Sequence, residues 1–406
     1  MSSDLVVLSI LIPTRNRHQT LPSTLATLRK SISEQIEFVV CDNSDNAFDT
    51  ASFSNDARFK FLRPQKVLGM TENWEYCLQH SRGSFRGFIG DDDGVLPSSL
   101  DRLVVHLRHC SSEVIVAGSA GYEWPKHGND PRLQLIHYNK QADDLRPKVM
   151  KGLGAFRFSS AFPMPYNRAV FSKSIESRVR EINNGAFFNS RTPDINSGAI
   201  LSTFSRSIES FNEIVFIHGA SATSNGELGK EGNAPLEHSE LSKIKFLKVL
   251  GDGIGTSSVL QYMEPVLQAF TLNDMYPQLR VSRIISRVFF STPNIIESSA
   301  YCSRTWPTFK TFIKFCSIVA FIRHKMFWKI QLTKSTWKPL LLDDCSFYVF
   351  SSENISNVEL ASQALETYLI DRAMNKKLVQ SVIHSPKYRL RTIIGGIFDR
   401  KTKSFN

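Results

Sequence analysis

The stretch FRGFIGDDDGVLP, from Phe85 to Pro97, sets a short apolar run against three consecutive carboxylates and closes on a proline. Phe85 to Ile89 has the length of a buried strand, and Pro97 suits the first turn of a helix. The same form recurs upstream. In LVVLSILIPTRNR, Leu5 to Arg17, a continuous apolar run reaches Ile12, Pro13 ends it, and the polar cluster Thr14, Arg15, Asn16 and Arg17 follows. Glu37 to Cys41 is a second such run, ending on Asp42, Asn43 and Ser44. Between the runs, Thr20 to Ser33 carries Leu21, Leu25 and Leu28 at helical spacing, and Phe59 to Leu62 reads as a further strand. Thr71 to His80 reads as a helix capped by Thr71. Strand alternating with helix, with strands apolar on both faces, predicts an α/β fold with a mostly parallel central sheet. Ligands of such sheets sit beyond the carboxyl ends of the strands, so three polar clusters on that edge predict one site.

Asp91, Asp92 and Asp93 are the sharpest feature of that edge. Adjacent carboxylates repel by roughly several tenths of a kcal/mol or more unless a cation holds them. Hard oxygen ligands without Cys or His favour Mg²⁺ or Mn²⁺, an ion that bridges phosphate oxygens and neutralises a departing diphosphate. The plainer reading is a solvated acidic turn ahead of the Pro97 helix, where Asp suits the helix N-terminus.

A chain of 406 residues, 42% hydrophobic and 21% charged, accommodates two folded domains and lacks low-complexity tracts. Its six cysteines are scattered, without CxxC, and predict buried thiols in a reducing compartment with neither a zinc site nor a disulfide framework. The apolar run from Leu5 is only a strand's length, which argues against a signal peptide, and no run reaches the roughly 20 residues of a membrane span. A cytoplasmic location is expected. Charge is uneven: residues 1–240 hold 26 Lys and Arg against 27 Asp and Glu, whereas residues 241–406 hold 23 against 11. Such a C-terminal half implies an anionic partner, nucleic acid or a membrane surface.

Residues 8–100 resemble the family 2 glycosyltransferases of GT-A fold. The resemblance rests on Ser9 to Arg17, on Val39 to Ser44, and on Phe88 to Pro97. It implies that Pro13 opens the loop around the nucleotide, that Asp42 hydrogen-bonds the base, commonly uracil, and that the acidic triplet supplies a ribose contact and the metal ligand. Asp91 and Asp92 are thus donor contacts and Asp92 and Asp93 candidate ligands of Mn²⁺ or Mg²⁺, although Gly90 stands where the usual acid-x-acid-acid pattern begins. Thr14, Arg15 and Arg17 are candidate donor contacts, the guanidinium groups suiting phosphate oxygens. Gly69 to Trp74 resembles the segment whose helix start faces the donor, with Asn73 the candidate contact and Trp74 a core residue.

Inverting transfer also requires a general base near the acceptor hydroxyl. The resemblance places it about a hundred positions beyond the triplet, where Pro193-Asp194 occurs; Asp194 also suits the N-cap of a helix over 195–204. Phe162 to Asn167 is expected to line the acceptor side, and His218 to Gly226 to form a mobile loop in which His218 is a further metal or phosphate ligand.

The expected organisation is a GT-A domain over 1–235 and a mainly helical basic domain over 236–406, with helices over 236–270 and 358–382. The aromatic, basic stretch Thr308 to Gln331 suits either an anionic membrane surface or the face of a second core. The function read from the sequence is metal-dependent, inverting transfer from a nucleotide sugar, with a UDP-sugar favoured, to a saccharide or lipid-linked acceptor in polysaccharide or glycolipid assembly. The site of action would be the inner face of the cell membrane, without nucleic acid as partner. A nucleotidyltransferase would carry a Gly-rich loop after the first strand, which Pro13 to Arg17 is not, and a noncatalytic basic adaptor leaves the triplet unexplained.

Overall fold

The computed structural model describes residues 6–125, 132–138, 144–154, 161–188, 190, 192–223, 265–266, 269–270, 272, 303, 307–317, 345–351 and 355–374. The first half of the domain alternates β1 (Leu8–Thr14), α1 (Leu21–Arg29), β2 (Ile36–Asp42), β3 (Phe59–Leu62), α2 (Met70–Gln79), β4 (Phe85–Phe88), β5 (Gly94–Val95) and α3 (Pro97–Leu107). Then come β6 (Val114–Glu123), β7 (Arg132–Tyr138), α4 (Arg146–Leu153), β8 (Ala169–Ser172), α5 (Lys173–Ile182), α6 (Pro193–Phe204) and β9 (Ile208–Ala220). Two C-terminal elements, β10 (Cys345–Ser351) and α7 (Val358–Met374), complete it.

The strands form one sheet in the order β10-β7-β6-β8-β4-β1-β2-β3. Neighbours among β3, β2, β1 and β4 run parallel, as the apolar runs predict, and β8 then pairs antiparallel with both β4 and β6. β9 lies parallel to β6 and pairs at its far end with the two-residue β5, just after the acidic triplet.

Alternate side chains of the parallel strands enter two cores. Leu11, Val39 and Phe88 face a core shared with α2, α4, α5 and α6, whereas Ile10, Ile12, Phe38 and Val40 face α1 and α3. Burial of each such side chain contributes about 1.5–3 kcal/mol. Trp74 belongs to the first core, stacked on Phe88 with ring centroids 4.6 Å apart.

The start of α2 differs from the expectation. Its N-cap is Gly69, because the Glu72 carboxylate accepts from the Gly69 amide at 3.0 Å; Thr71 lies inside the helix and donates to the Ser190 carbonyl. The expected boundary at 235 and the expected helix over 236–270 fall almost wholly outside the described residues, as does the part of 358–382 beyond Met374. α7 does not stand apart from the first half of the chain. Val358, Ala361 and Leu365 form a third core with Leu96, Tyr122, Ile214 and Ile217. Ser362 Oγ donates to the Val95 carbonyl at 2.7 Å, and Glu366 accepts from the Ser98 amide in the first turn of α3.

Candidate active site

The acidic turn between β4 and β5 is held from four directions. Asp93 is fully buried, its Oδ1 accepting from the Gly219 amide at 2.6 Å and its Oδ2 from Asn167 Nδ2 at 2.6 Å and from the Gly90 amide. From α1, Thr24 Oγ1 donates to the Asp93 carbonyl and Thr27 Oγ1 accepts from the Val95 amide. Asn167 reaches Asp93 from a left-handed backbone, φ 54°, a conformation that Asn tolerates better than most residues.

Gly90, the departure from the expected pattern, has a steric cause. A Cβ there would stand 2.4 Å from the Tyr166 hydroxyl and 2.7 Å from Asp93 Oδ2, so any side chain displaces one of them. Gly219 is equally constrained. Its Cβ would meet the Asp92 carbonyl oxygen at 1.8 Å, where β9 passes directly against the turn.

Asp91 and Asp92 occupy the outer part of the turn. Thr14 Oγ1 donates to Asp91 Oδ2 at 2.6 Å, tying the end of β1 to the turn. Asp92 Oδ2 accepts from Ser221 Oγ at 2.6 Å and from the Ser221 amide, while its carbonyl accepts from Trp124 Nε1. Among the described residues no donor reaches Asp92 Oδ1. Burial, reinforced by the Asp92 charge, raises Asp91 to about 7 even though Arg17 works against the rise. Burial and the Asp93 charge raise Asp92 to about 6. A hard divalent cation relieves both effects at once, so these carboxylates fit one.

The strand ends beside the turn are just as closely ordered. Asp42 Oδ1 accepts from the Ser44 amide, and Oδ2 from the Phe48 amide and from Arg63 Nη1 at 3.1 Å; the sequence had not singled out Arg63. Asn43 N donates to the Thr14 carbonyl, joining β2 to β1. Asn73 is buried, with Nδ2 3.4 Å from the Cys41 carbonyl and 3.5 Å from that of Thr14, so it bridges the same two strand ends from beneath. Pro13 and Arg15 are half-buried beside them. A cavity of about 340 Å³ opens here, lined by Asn16, Arg17, His18, Thr20, Asn46 and Thr223 among others.

Asp194 lies in the first turn of α6. The N-cap is Thr192 and Pro193 is the first helical residue, so the expected N-cap role for Asp194 is corrected: proline's fixed φ starts the helix two residues earlier. Its side chain keeps some contact with solvent, but dense protein around it raises the pKa above the ordinary carboxylate value. His218 pulls the other way on Asp194 and also on Asp92, and so lies within electrostatic reach of both. Its imidazole is more than half exposed; Asn167 Nδ2 donates to its Nδ1 at 2.9 Å. The Asn167 amide turns its nitrogen toward Asp93, which can only accept when ionised. His218 Nδ1 is therefore an acceptor, and the neutral imidazole carries its proton on Nε2.

Tyr166 and Asn167, expected along the acceptor side, instead underlie the turn, because the Phe88–Tyr166 bridge brings their segment beside the end of β4. Of the segment expected to form a mobile loop, His218 to Ala220 end β9, and residues 224–226 lie outside the described residues. Gly219 and Ser221 were marked only as part of the expected loop and Trp124 not at all; their three-dimensional closure on Asp92 and Asp93 gives them their place.

A parallel half-sheet whose strand ends carry an acidic turn, extended by antiparallel strands, defines the GT-A class of nucleotide-binding domain. Residues 9–173 match the family described as glycosyl transferase family 2. A Mycobacterium tuberculosis protein described as uncharacterized protein MT1568 is 29% identical over 99 residues, 24% of this chain and 31% of that one. The chain thus matches under a third of that relative's length. Among solved structures, S. aureus TarS 1-349 aligns with 13% identity and a TM-score of 0.44, covering 80% of this chain and 91% of that one. Its complex with UDP-GlcNAc gives the same figures. No helix among the described residues is long and apolar enough to cross a membrane.

Proposed function

We propose that the chain transfers a glycosyl group from a nucleotide-sugar donor to an acceptor hydroxyl with inversion at the anomeric carbon. The observation that carries this reading is the junction of Thr14 with Asp91, where the end of β1 meets the acidic turn beside the cavity at Arg17. A diphosphate there would have Arg17 and the imidazole Nε2–H of His218 as donors. Asp92, with Oδ1 unengaged by any described residue, is the preferred ligand for Mn²⁺ or Mg²⁺; Asp93, with both oxygens engaged, is assigned to holding the turn. Such an ion, when bound, neutralises charge on the departing diphosphate. A set this small suits a cation that keeps waters and phosphate oxygens in its shell.

Asp42 Oδ1 retains one acceptor position after Ser44, which suits the ring N–H of uracil and supports a UDP-sugar as donor. Asp194 is assigned as the base that takes the proton of the acceptor hydroxyl, and its raised pKa strengthens it as a proton acceptor. The acceptor is proposed to be a saccharide or a lipid-linked species at an anionic membrane surface, which the excess of positive charge beyond residue 240 supports. On the helix over 310–317, Ile313 and Cys316 enter the first core while Lys310, Lys314 and Phe315 face solvent. Incubating the protein with a panel of nucleotide sugars and Mn²⁺, and measuring nucleoside diphosphate release, tests the reading. Release from none of them removes it.

A further inference from the structure

Among the described residues, one group of three His, Cys, Asp or Glu side chains brings its ligand atoms within 4.8 Å of one another, and it lies away from the acidic turn. It consists of His106, in the last turn of α3, Cys110, just beyond the end of that helix, and Glu209, at the start of β9. His106 Nε2 is 3.1 Å from Glu209 Oε1, and Cys110 Sγ is 3.4 Å from Glu209 Oε2. Ligands at about 2.0–2.3 Å from a tetrahedral zinc are separated by about 3.3–3.7 Å; the two contacts are made to different Glu209 oxygens, and a spread within 4.8 Å leaves shifts of up to about 1 Å for one atom from each residue to share an ion.

We propose that His106, Cys110 and Glu209 form a structural Zn²⁺ site that ties the end of α3 to the start of β9. One thiolate and one carboxylate balance the charge of a dication, and the mixed nitrogen, sulfur and oxygen set is borderline-soft, as zinc prefers and Mg²⁺ or Mn²⁺ does not. The second shell is already in place. The Ser112 amide points at Cys110 Sγ at 3.3 Å, and Phe211 packs on the His106 ring with centroids 5.4 Å apart. All three ligands are half-buried, which leaves an entry path and room for a water in the fourth position. Without a cation, burial and the adjacent Glu209 charge keep the thiol protonated; binding therefore releases its proton to solvent. The sequence reading had excluded zinc because its cysteines lacked a CxxC partner. The missing ligand is supplied from 99 positions away along the chain.

Glu209 and His218 lie nine residues apart on β9, about 30 Å at the rise of an extended strand. The proposed ion therefore sits far from the donor site and anchors the strand that carries Gly219 to the acidic turn.

Titrating the metal-free full-length protein with Co²⁺ as a spectroscopic stand-in for Zn²⁺ tests the site. The expected result is that one equivalent develops a thiolate-to-cobalt charge-transfer band in the near ultraviolet, displaced by Zn²⁺ and accompanied by a rise in Tm; Co²⁺ taken up at the acidic turn gives no such band. Cys110→Ser should abolish the band, and Glu209→Gln should weaken binding by more than about tenfold, the least expected even for an outer partner. Both variants keep side-chain size, and circular dichroism checks that they fold. Absence of the band in the wild-type protein, or its survival in Cys110→Ser through another thiol, overturns the proposal and leaves the cluster a hydrogen-bonded contact.

Discussion

Gly219 and Asp93 stand 126 positions apart, and the amide of the first donates to the buried carboxylate of the second at 2.6 Å. With the donors from Asn167 and Gly90 this gives Asp93 three partners, each of which would lose its acceptor in Asp93→Ala. An unsatisfied buried donor costs about 1–3 kcal/mol, so on the order of 3–9 kcal/mol is expected, a large share of a typical domain's stability. Asp92→Asn keeps an oxygen for Ser221, and should show a Tm no lower than wild type while lowering turnover by at least about a hundredfold. Thermal melts with a diphosphate-release assay separate the two roles; equal stability in both variants would refute the division.

Restoring the acid that the family pattern places at position 90 should not help. Gly90→Asp, like Gly90→Ala, sets a Cβ against the Tyr166 hydroxyl and Asp93. Activity should fall in both variants, and Tyr166→Phe, which removes the obstructing oxygen, should recover part of it in the alanine variant. A gain in activity for Gly90→Asp alone would contradict the steric account.

The carboxylates of Asp91 and Asp92, raised to about 7 and about 6, make the metal-free protein sensitive to pH. In the folded state they hold protons that the unfolded chain has already released. Their stabilising contribution is therefore complete below about pH 4 and is lost as pH rises through 6 to 7. In chelator, Tm should decline over that interval, and the double variant Asp91→Asn, Asp92→Asn should flatten the decline. Mn²⁺ should raise Tm more at pH 8 than at pH 5. A metal effect independent of pH would exclude binding through these groups.

For Asp194, substitution by Asn keeps the shape of the first turn of α6 and removes the proton acceptor. Donor affinity should be unchanged and turnover lower by roughly a hundredfold or more. In the wild-type protein the acidic limb of the kcat profile should lie above the ordinary carboxylate range, because burial raises this group, and it should vanish in Asp194→Asn. An unchanged limb assigns the titration elsewhere.

Charge beyond residue 240 should produce attachment to anionic liposomes at low salt that weakens as salt rises. A flotation assay with anionic and neutral vesicles measures it, and failure to float at low salt removes the membrane from the proposed function.

The strands β1, β2 and β4 and the Pro97 helix were legible because each is a local matter of apolar runs and proline. So was the gathering of Thr14, Asp42 and Asp91 at one edge, since parallel strands can end nowhere else. Local pattern did not reveal what closes the site. Ser221 reaches Asp92 across 129 positions and Asn167 reaches Asp93 across 74, and neither residue type is unusual where it stands. The assignment of Thr71 as a cap failed for a smaller reason: Glu72 reaches back to Gly69. Gly90 read as a defect in a pattern until Tyr166, 76 residues later, was seen to occupy the space its side chain would need.

The hydrogen bond from Ser362 to Val95 spans 267 positions, and Val358 lies against Gly94 beside it. During synthesis the acidic turn must therefore wait. Strands β1 to β9 emerge from the ribosome long before α7, and for that interval the hydrophobic groove around Leu96, Tyr122 and Ile217 is open. An apolar groove of this kind is prone to aggregation until α7 covers it. The support behind the acidic turn is thus in place only once α7 has been made.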